Sequence, residues 1–148
     1  MRGILIRVGI IAVIGLGALI LRPLISGNAG DLNVGDCFEL PSASAETVKD
    51  VQHHPCDQDH GGEVIFKGDY PGSQSDTYPT DNEMTAFLVE KCVPAYKTYT
   101  GREIESESIY DIAWFQPTTD GWNKGDQGVT CYVYRLDEVP FKGSLKAG

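Results

Sequence analysis

The chain has 148 residues, which is enough for one domain plus an extension. All 21 acidic residues lie at position 31 or later, with 9 of the 12 basic residues, so the part after residue 22 has a net charge of about −12. A surface of that charge repels phosphate backbones, which argues against nucleic-acid binding and favours a well-solvated domain or cationic partners.

The N-terminal segment is apolar. Val8 to Leu21 contains only apolar residues and glycine, and about 18 to 19 residues are apolar when the stretch before Arg7 is included. A helix of that length nearly matches the hydrocarbon core of a bilayer. Arg2 and Arg7 predict that the N-terminus is cytoplasmic.

These features divide the chain into three parts. We expect a transmembrane helix over residues 1–22, a short flexible tether over 23–30 and an extracytoplasmic domain over 31–148, anchored in the cell membrane by a single pass. The alternative is a cleaved signal peptide whose apolar region starts at Val8 and whose cleavage site lies near Ala29. Either interpretation places the domain outside the cytoplasm.

Alternation of apolar and polar residues predicts the strands of this domain. They cover residues 34–40, 46–54, 63–67, 105–116 and 127–136. A polar loop rich in Pro, Gly and Ser follows the third strand, over 69–79. The C-terminal tail, 140–148, is expected to be an exposed end.

One soluble helix is predicted between the third and fourth strands. Thr80 and Glu83 have the spacing of a capping box, and Met84, Leu88 and Cys92 form an apolar stripe behind them. Pro94 is expected to kink or end the helix, because proline removes a backbone hydrogen bond. The predicted fold class is therefore α+β: a transmembrane helix, then a small disulfide-stapled antiparallel sheet of about five strands with one packed helix.

The four cysteines are Cys37, Cys56, Cys92 and Cys131. No two have the C-x-x-C spacing of zinc ribbons or thioredoxin-like motifs, and an even count in an exported domain indicates two disulfides. Three pairings are possible. We favour 37–56, between neighbouring strands, and 92–131, between the helix and the last strand.

The stretch from residue 51 to 64 holds all three histidines and several carboxylates. Asp59, His60 and Glu63 are the candidate ligand residues, because nitrogen and oxygen donors at this spacing suit a divalent metal. The alternative is that His60 and Glu63 form hydrogen bonds that fix a hairpin. We favour that alternative and predict no bound metal or other cofactor.

Catalysis is not indicated. The chain has no G-x-S-x-G motif. Glu103, Glu105 and Glu107 lie in one run, which predicts a solvated strand face rather than two carboxylates across a cleft. Aromatic residues cluster in the last third, and most are expected to be core, with some available as interface anchors.

The order of motifs resembles the septum-formation domain family of actinobacterial envelope proteins. The matching motifs are Val34-Gly35-Asp36-Cys37-Phe38, Val51…Cys56…His60…Glu63-Val64, Cys92…Tyr99…Gly101, Trp122…Gly125-Asp126…Val129…Cys131 and Gly143-Ser144. The resemblance covers residue 31 to the C-terminus, with one departure: the family usually has Arg where this chain has Gln127. It implies a membrane-tethered extracytoplasmic domain with paired cysteines, and says little about mechanism.

We therefore expect a non-enzymatic accessory or scaffold subunit of an integral membrane complex. The complex could belong to cell division or cell-wall synthesis, or it could be a respiratory cytochrome complex. The remaining alternative is a stand-alone envelope protein that binds a ligand or a metal.

Overall fold

The computed structural model of the protein describes residues 27–42, 48, 50–73 and 75–148. The predicted transmembrane helix over residues 1–22 and the first half of the predicted tether lie outside these residues. Across the described ranges, no helix is both long enough and apolar enough to cross a membrane.

An antiparallel sheet forms the centre of the fold. In chain order, the described strands are β1 (Gly27–Asn28), β2 (Cys37–Phe38), β3 (Asp50–Val51), β4 (His53–His54), β5 (Gly62–Asp69), β6 (Tyr110–Phe115) and β7 (Gly128–Arg135). Five of them form one sheet in the order β4-β2-β5-β7-β6, and β1 pairs separately with β3. Every pairing is antiparallel, so the predicted α+β class with a five-stranded antiparallel sheet is confirmed.

The segment before β2 is folded onto the sheet. β1 pairs with β3, Ala29 is buried, and Leu32 is completely inaccessible to solvent. The sequence predicts a flexible tether as far as residue 30. In the structure, residues 27–30 instead contribute to the domain.

The main helix, α1 (Asp81–Thr100), begins as predicted. The side chain of Thr80 accepts a hydrogen bond from the backbone N–H of Glu83, and Glu83 accepts one from the backbone N–H of Thr80. This capping box satisfies two backbone donors at the helix start that have no partner within the helix.

Proline does not end this helix, although an end was one of the two outcomes predicted for Pro94. The helix continues past Pro94 to Thr100 and ends at Gly101, which has a left-handed backbone conformation (φ 73°). Pro94 lies on the solvent side, where water can satisfy the carbonyl group that proline leaves unpaired. Two residues earlier, Cys92 is bonded to Cys131 in β7, which holds the buried face of the helix on the sheet.

The two faces of the sheet bury different sets of side chains. On the helix face, buried residues of α1 pack against the inward-facing side chains of β5 and β7: Ile65, Met84, Leu88, Cys92, Tyr96, Tyr99, Val129, Cys131 and Val133. On the other face, the rings of Phe38, Phe115 and Tyr132 pack in tilted and edge-on arrangements, with centroids 4.8–5.8 Å apart, under the segment that contains β1 and β3. Successive residues of β7 alternate between these two cores, as the period of a strand requires.

The region after α1 differs from its prediction. The predicted strand over 105–116 begins only at Tyr110, and its first part is a short 3-10 turn, Ile104–Ser106. The segment between β6 and β7 contains a five-residue helix, α2 (Thr119–Asn123), capped by the side chain of Thr118. The glutamates at 103, 105 and 107 therefore do not lie on a strand face.

Two adjacent glycines allow β2 and β5 to approach closely. A Cβ atom on Gly62 would lie 2.6 Å from the ring of Phe38, and one on Gly61 would lie 2.7 Å from the side chain of Leu40. Both distances are shorter than carbon atoms tolerate. The glycine pair is thus the place where the start of β5 meets β2.

Candidate functional site

The two disulfides are Cys37–Cys56 and Cys92–Cys131, which is the predicted pairing. The second is completely enclosed, since both of its cysteines are at most 1% exposed. The first is asymmetric. Cys37 is buried in β2, whereas Cys56 is partly exposed in the loop after β4 and borders a cavity of about 310 Å³ that His53 and His54 also line.

A buried carboxylate lies next to the first disulfide. Glu63 in β5 is directly opposite Cys37 in β2 and is completely inaccessible to solvent. It accepts hydrogen bonds from the hydroxyl of Tyr99 at 2.6 Å, the hydroxyl of Ser144 at 2.5 Å and the backbone N–H of Leu145 at 2.8 Å. These donors come from the end of α1 and from the C-terminal tail, so Glu63 links three parts of the chain.

The tyrosine that donates to Glu63 has a strongly raised pKa. Burial is the main reason that the pKa of Tyr99 is raised to about 12, and the hydrogen bond to Glu63 raises it further. Tyr99 therefore stays a neutral hydrogen-bond donor to Glu63 throughout the physiological range.

His60 is buried beside this carboxylate and is 2% exposed. Its Nδ1 lies 2.9 Å from the carbonyl oxygen of Gln58, and its ring stacks on Phe141 with centroids 4.3 Å apart. Because a carbonyl oxygen can only accept, Nδ1 donates its proton to Gln58, and the neutral ring therefore carries its lone pair on Nε2. Nε2 is buried and has no hydrogen-bond partner among the described residues.

The predicted ligand set is only partly brought together. His60 and Glu63 converge, but the side chain of Asp59 is exposed and does not join them. Ligand atoms of Cys37, His60 and Glu63 all lie within 4.8 Å of one another, so the third member of the cluster is a cysteine. In the disulfide-bonded state that sulfur is not a thiolate, and a thiolate is what zinc requires.

The C-terminal tail, predicted to be an exposed end, is instead partly buried. Phe141 forms a β-bridge with His60 and is buried. Gly143 donates a backbone hydrogen bond to the carbonyl of Cys56, and Ser144 and Leu145 bond to Glu63. The tail therefore closes over the site. The Gly143-Ser144 motif noted in the resemblance was the one available signal.

The other glutamates considered for catalysis serve as structural partners. Glu103 pairs with Lys97 near the end of α1. Glu107 pairs with Arg102 at 2.9 Å and accepts a hydrogen bond from Tyr96 at 2.8 Å. These contacts hold the turn after α1, and they do not arrange two carboxylates across a cleft.

The fold and site together define a small α+β domain stapled by two disulfides around a buried carboxylate–histidine pair. The model of a protein family described as septum formation matches residues 34–146, and the chain belongs to that family. The predicted resemblance is thus confirmed over the domain, whereas membrane anchoring and an actinobacterial source stay predictions. No curated protein and no solved structure matches the chain. Family membership supports a role in cell division or in the cell envelope.

Proposed function

We propose that this protein is a non-catalytic accessory subunit that binds an integral membrane complex through its extracytoplasmic domain. Family membership supports the cellular setting, and one surface feature of the domain supports a protein partner. That feature is a cluster of exposed aliphatic side chains at one end of the sheet.

The cluster consists of Ile109, Leu136 and Val139. They are 47%, 54% and 51% exposed, respectively. The backbone N–H of Leu136 donates to the carbonyl of Ile109 at 2.8 Å, and Val139 comes directly after the turn that the Glu138 N–H closes on the carbonyl of Arg135. Single exposed aliphatic residues are ordinary, but three together on an acidic domain are typical of an interaction site.

The edge strand adds to this surface. Among the described strands, β6 is the last of the five-stranded sheet and pairs only with β7. The outer backbone groups of such a strand can pair with a segment of a partner, and the aliphatic cluster lies directly at its beginning. The proposed contact surface is therefore the outer edge of β6 together with Ile109, Leu136 and Val139.

Co-purification tests this proposal. Full-length protein extracted in mild detergent is expected to carry an integral membrane complex with it, and Leu136→Asp is expected to reduce the recovered complex by about tenfold or more, because a buried charge opposes the contact. Val89→Asp is the matched control. Val89 is also 47% exposed, but it lies on the outer side of α1.

The identity of the recovered subunits distinguishes division or cell-wall machinery from a respiratory cytochrome complex. If wild-type protein is recovered alone and crosslinking finds no integral-membrane neighbour, the accessory-subunit proposal is wrong. A stand-alone envelope protein that binds a ligand then becomes the better description. If Leu136→Asp and Val89→Asp behave alike, the partner binds elsewhere on the domain.

A further inference from the structure

We infer that the Cys37–Cys56 disulfide masks a zinc-type metal site, which forms when a dithiol reductant opens this bond. The ligands would be the two released thiolates, His60 and Glu63. This inference goes beyond the proposed function and does not depend on it.

The first observation is the proximity of the groups. One ligand atom each from Cys37, His60 and Glu63 lies within 4.8 Å of the other two, and the sulfur of Cys56 is bonded to that of Cys37. In a tetrahedral zinc site with bonds of about 2.0–2.3 Å, ligand atoms are about 3.3–3.8 Å apart. Shifts of about 1 Å would therefore complete the site, and opening the disulfide frees both sulfur atoms to move.

The second observation is an unused lone pair on the histidine. Nδ1 of His60 donates to a backbone carbonyl, which fixes the ring and leaves Nε2 as a buried acceptor that nothing in the described structure satisfies. A histidine that ligates zinc usually has this arrangement, with one nitrogen held by a carbonyl and the other directed to the metal. An acceptor buried without a donor is costly, and a metal ion removes that cost.

The third observation concerns the carboxylate. Its two oxygens offer about four lone-pair positions. Oε1 of Glu63 accepts two hydrogen bonds and Oε2 accepts one, so one position on Oε2 has no donor from the part of the chain that the structure describes. The three existing donors hold the carboxylate in place, which is what an oriented metal ligand needs.

The two disulfides differ in the way that this inference requires. Cys56 is partly exposed beside a cavity, which is the route by which an external thiolate would reach this disulfide, whereas Cys92 and Cys131 are enclosed in the core. Attack at Cys56 forms a mixed disulfide and releases Cys37, and the second thiol of the reductant then releases Cys56. The reductant leaves as its own disulfide, and the two cysteine thiols lose their protons when the metal binds.

The experiment uses the full-length chain and cobalt(II) as a spectroscopic probe for zinc. Mild dithiol treatment is expected to open 37–56 and leave 92–131 closed, as peptide mapping would show. The reduced protein is expected to bind one Co²⁺ with a sulfur-to-cobalt charge-transfer band and the visible bands of tetrahedral cobalt, and Zn²⁺ should displace it. The oxidised protein should show neither band.

The variants test the assigned ligands. His60→Ala and Glu63→Gln are each expected to weaken binding to the reduced chain by about a hundredfold, since each removes one of four ligands. His54→Ala is the matched control. His54 is the residue of β4 that pairs with Cys37, but its Nε2 lies 3.7 Å from Oε2 of Glu39. Loss of binding in His54→Ala with retention in His60→Ala would overturn the assignment.

Cys56→Ala provides a test without a reductant. It leaves Cys37 as a free thiol beside His60 and Glu63 and keeps the core disulfide closed. A folded Cys56→Ala protein that binds cobalt without a thiolate band would overturn the inference, because exposed carboxylates alone would explain such binding. Failure of the reduced chain and of Cys56→Ala to fold, even with zinc present, would also overturn it.

Discussion

At the scale of single residues, Glu63 is the centre of the molecule's polar interior. Replacing it with alanine removes the common acceptor of Tyr99, Ser144 and the backbone of Leu145. Each buried donor left without a partner costs about 1–3 kcal/mol. We expect Glu63→Ala to lower the free energy of unfolding by about 3 kcal/mol or more, as measured by chemical denaturation.

Asp59→Ala is the control for this measurement. Asp59 is four residues away and exposed, so its replacement should change the free energy of unfolding by no more than about 0.5 kcal/mol. Equal effects of the two substitutions would mean that the hydrogen bonds of Glu63 contribute nothing special to stability.

The buried tyrosines predict an alkaline limit to stability. The pKa is raised to about 12 for Tyr96, Tyr99 and Tyr132, in each case chiefly by burial. In the unfolded chain these groups lose their protons near pH 10. Between pH 10 and 12 the folded state therefore holds more protons than the unfolded state, so stability falls as the pH rises.

The measurement is the absorbance of tyrosinate during an alkaline titration, combined with unfolding curves at each pH. Three of the seven tyrosines should titrate late, near pH 12, and the free energy of unfolding should decrease over the same interval. Tyr96→Phe should remove one late group. A single titration step near pH 10 for all seven tyrosines would contradict the burial described.

The sequence predicted the cysteine pairing but could not predict the partners of Glu63. Pairing followed from the assigned elements, because Cys37 and Cys56 flank neighbouring strands. The donors to Glu63 are 36, 81 and 82 residues away, and the nearest of them lies beyond Pro94, where a kink or an end of the helix was expected. Contacts of that separation depend on tertiary packing, which local periodicity does not encode.

At the scale of elements, the C-terminal tail behaves as part of the core. Phe141 is 7% exposed, pairs with His60 through the backbone in both directions and stacks on its ring. Truncating a buried aromatic side chain usually costs about 3–5 kcal/mol. We expect Phe141→Ala to destabilise the protein by about 3 kcal/mol, as measured by chemical denaturation.

A chain that ends at residue 139 should lose at least as much stability, because it also loses the donors from Ser144 and Leu145. Lys142→Ala is the control, since Lys142 is exposed and next to Phe141. A truncated chain as stable as the wild type would show that the tail does not close over the site in solution.

Elements were predicted best where one local signal dominates. The capping box of α1 and the alternation of β7 correspond closely to the structure. An end of α1 at Pro94, one of the two predicted outcomes, does not occur. The helix propensity of proline is local, whereas the buried stripe and the disulfide at Cys92 act on the whole helix. The tail was wrong because its one large apolar residue, Phe141, gave no periodic pattern.

At the scale of the whole molecule, the domain begins closer to the predicted membrane anchor than the sequence indicated. β1 starts at Gly27, so at most the four residues 23–26 separate the domain from a span that ends at residue 22. Even when fully extended, the chain from residue 22 to residue 27 reaches only about 16–18 Å, at about 3.3–3.6 Å per residue. An anchored domain would therefore contact only the outer faces of membrane proteins next to its own helix.

This short reach predicts a large difference between the anchored and the free domain. When the anchor and the domain both contact one complex, the first contact raises the effective concentration for the second, which can strengthen binding by about 10²–10⁴. A chain that starts at Gly27, secreted without the anchor, should fold but bind the isolated complex about a hundredfold more weakly than the full-length protein.

Inserting about 30 Gly and Ser residues after residue 24 should weaken binding as well, because a longer linker lowers the effective concentration. The measurement is the affinity of each of the three chains for the detergent-solubilised complex. Equal affinities would show that the anchor contributes nothing to recognition.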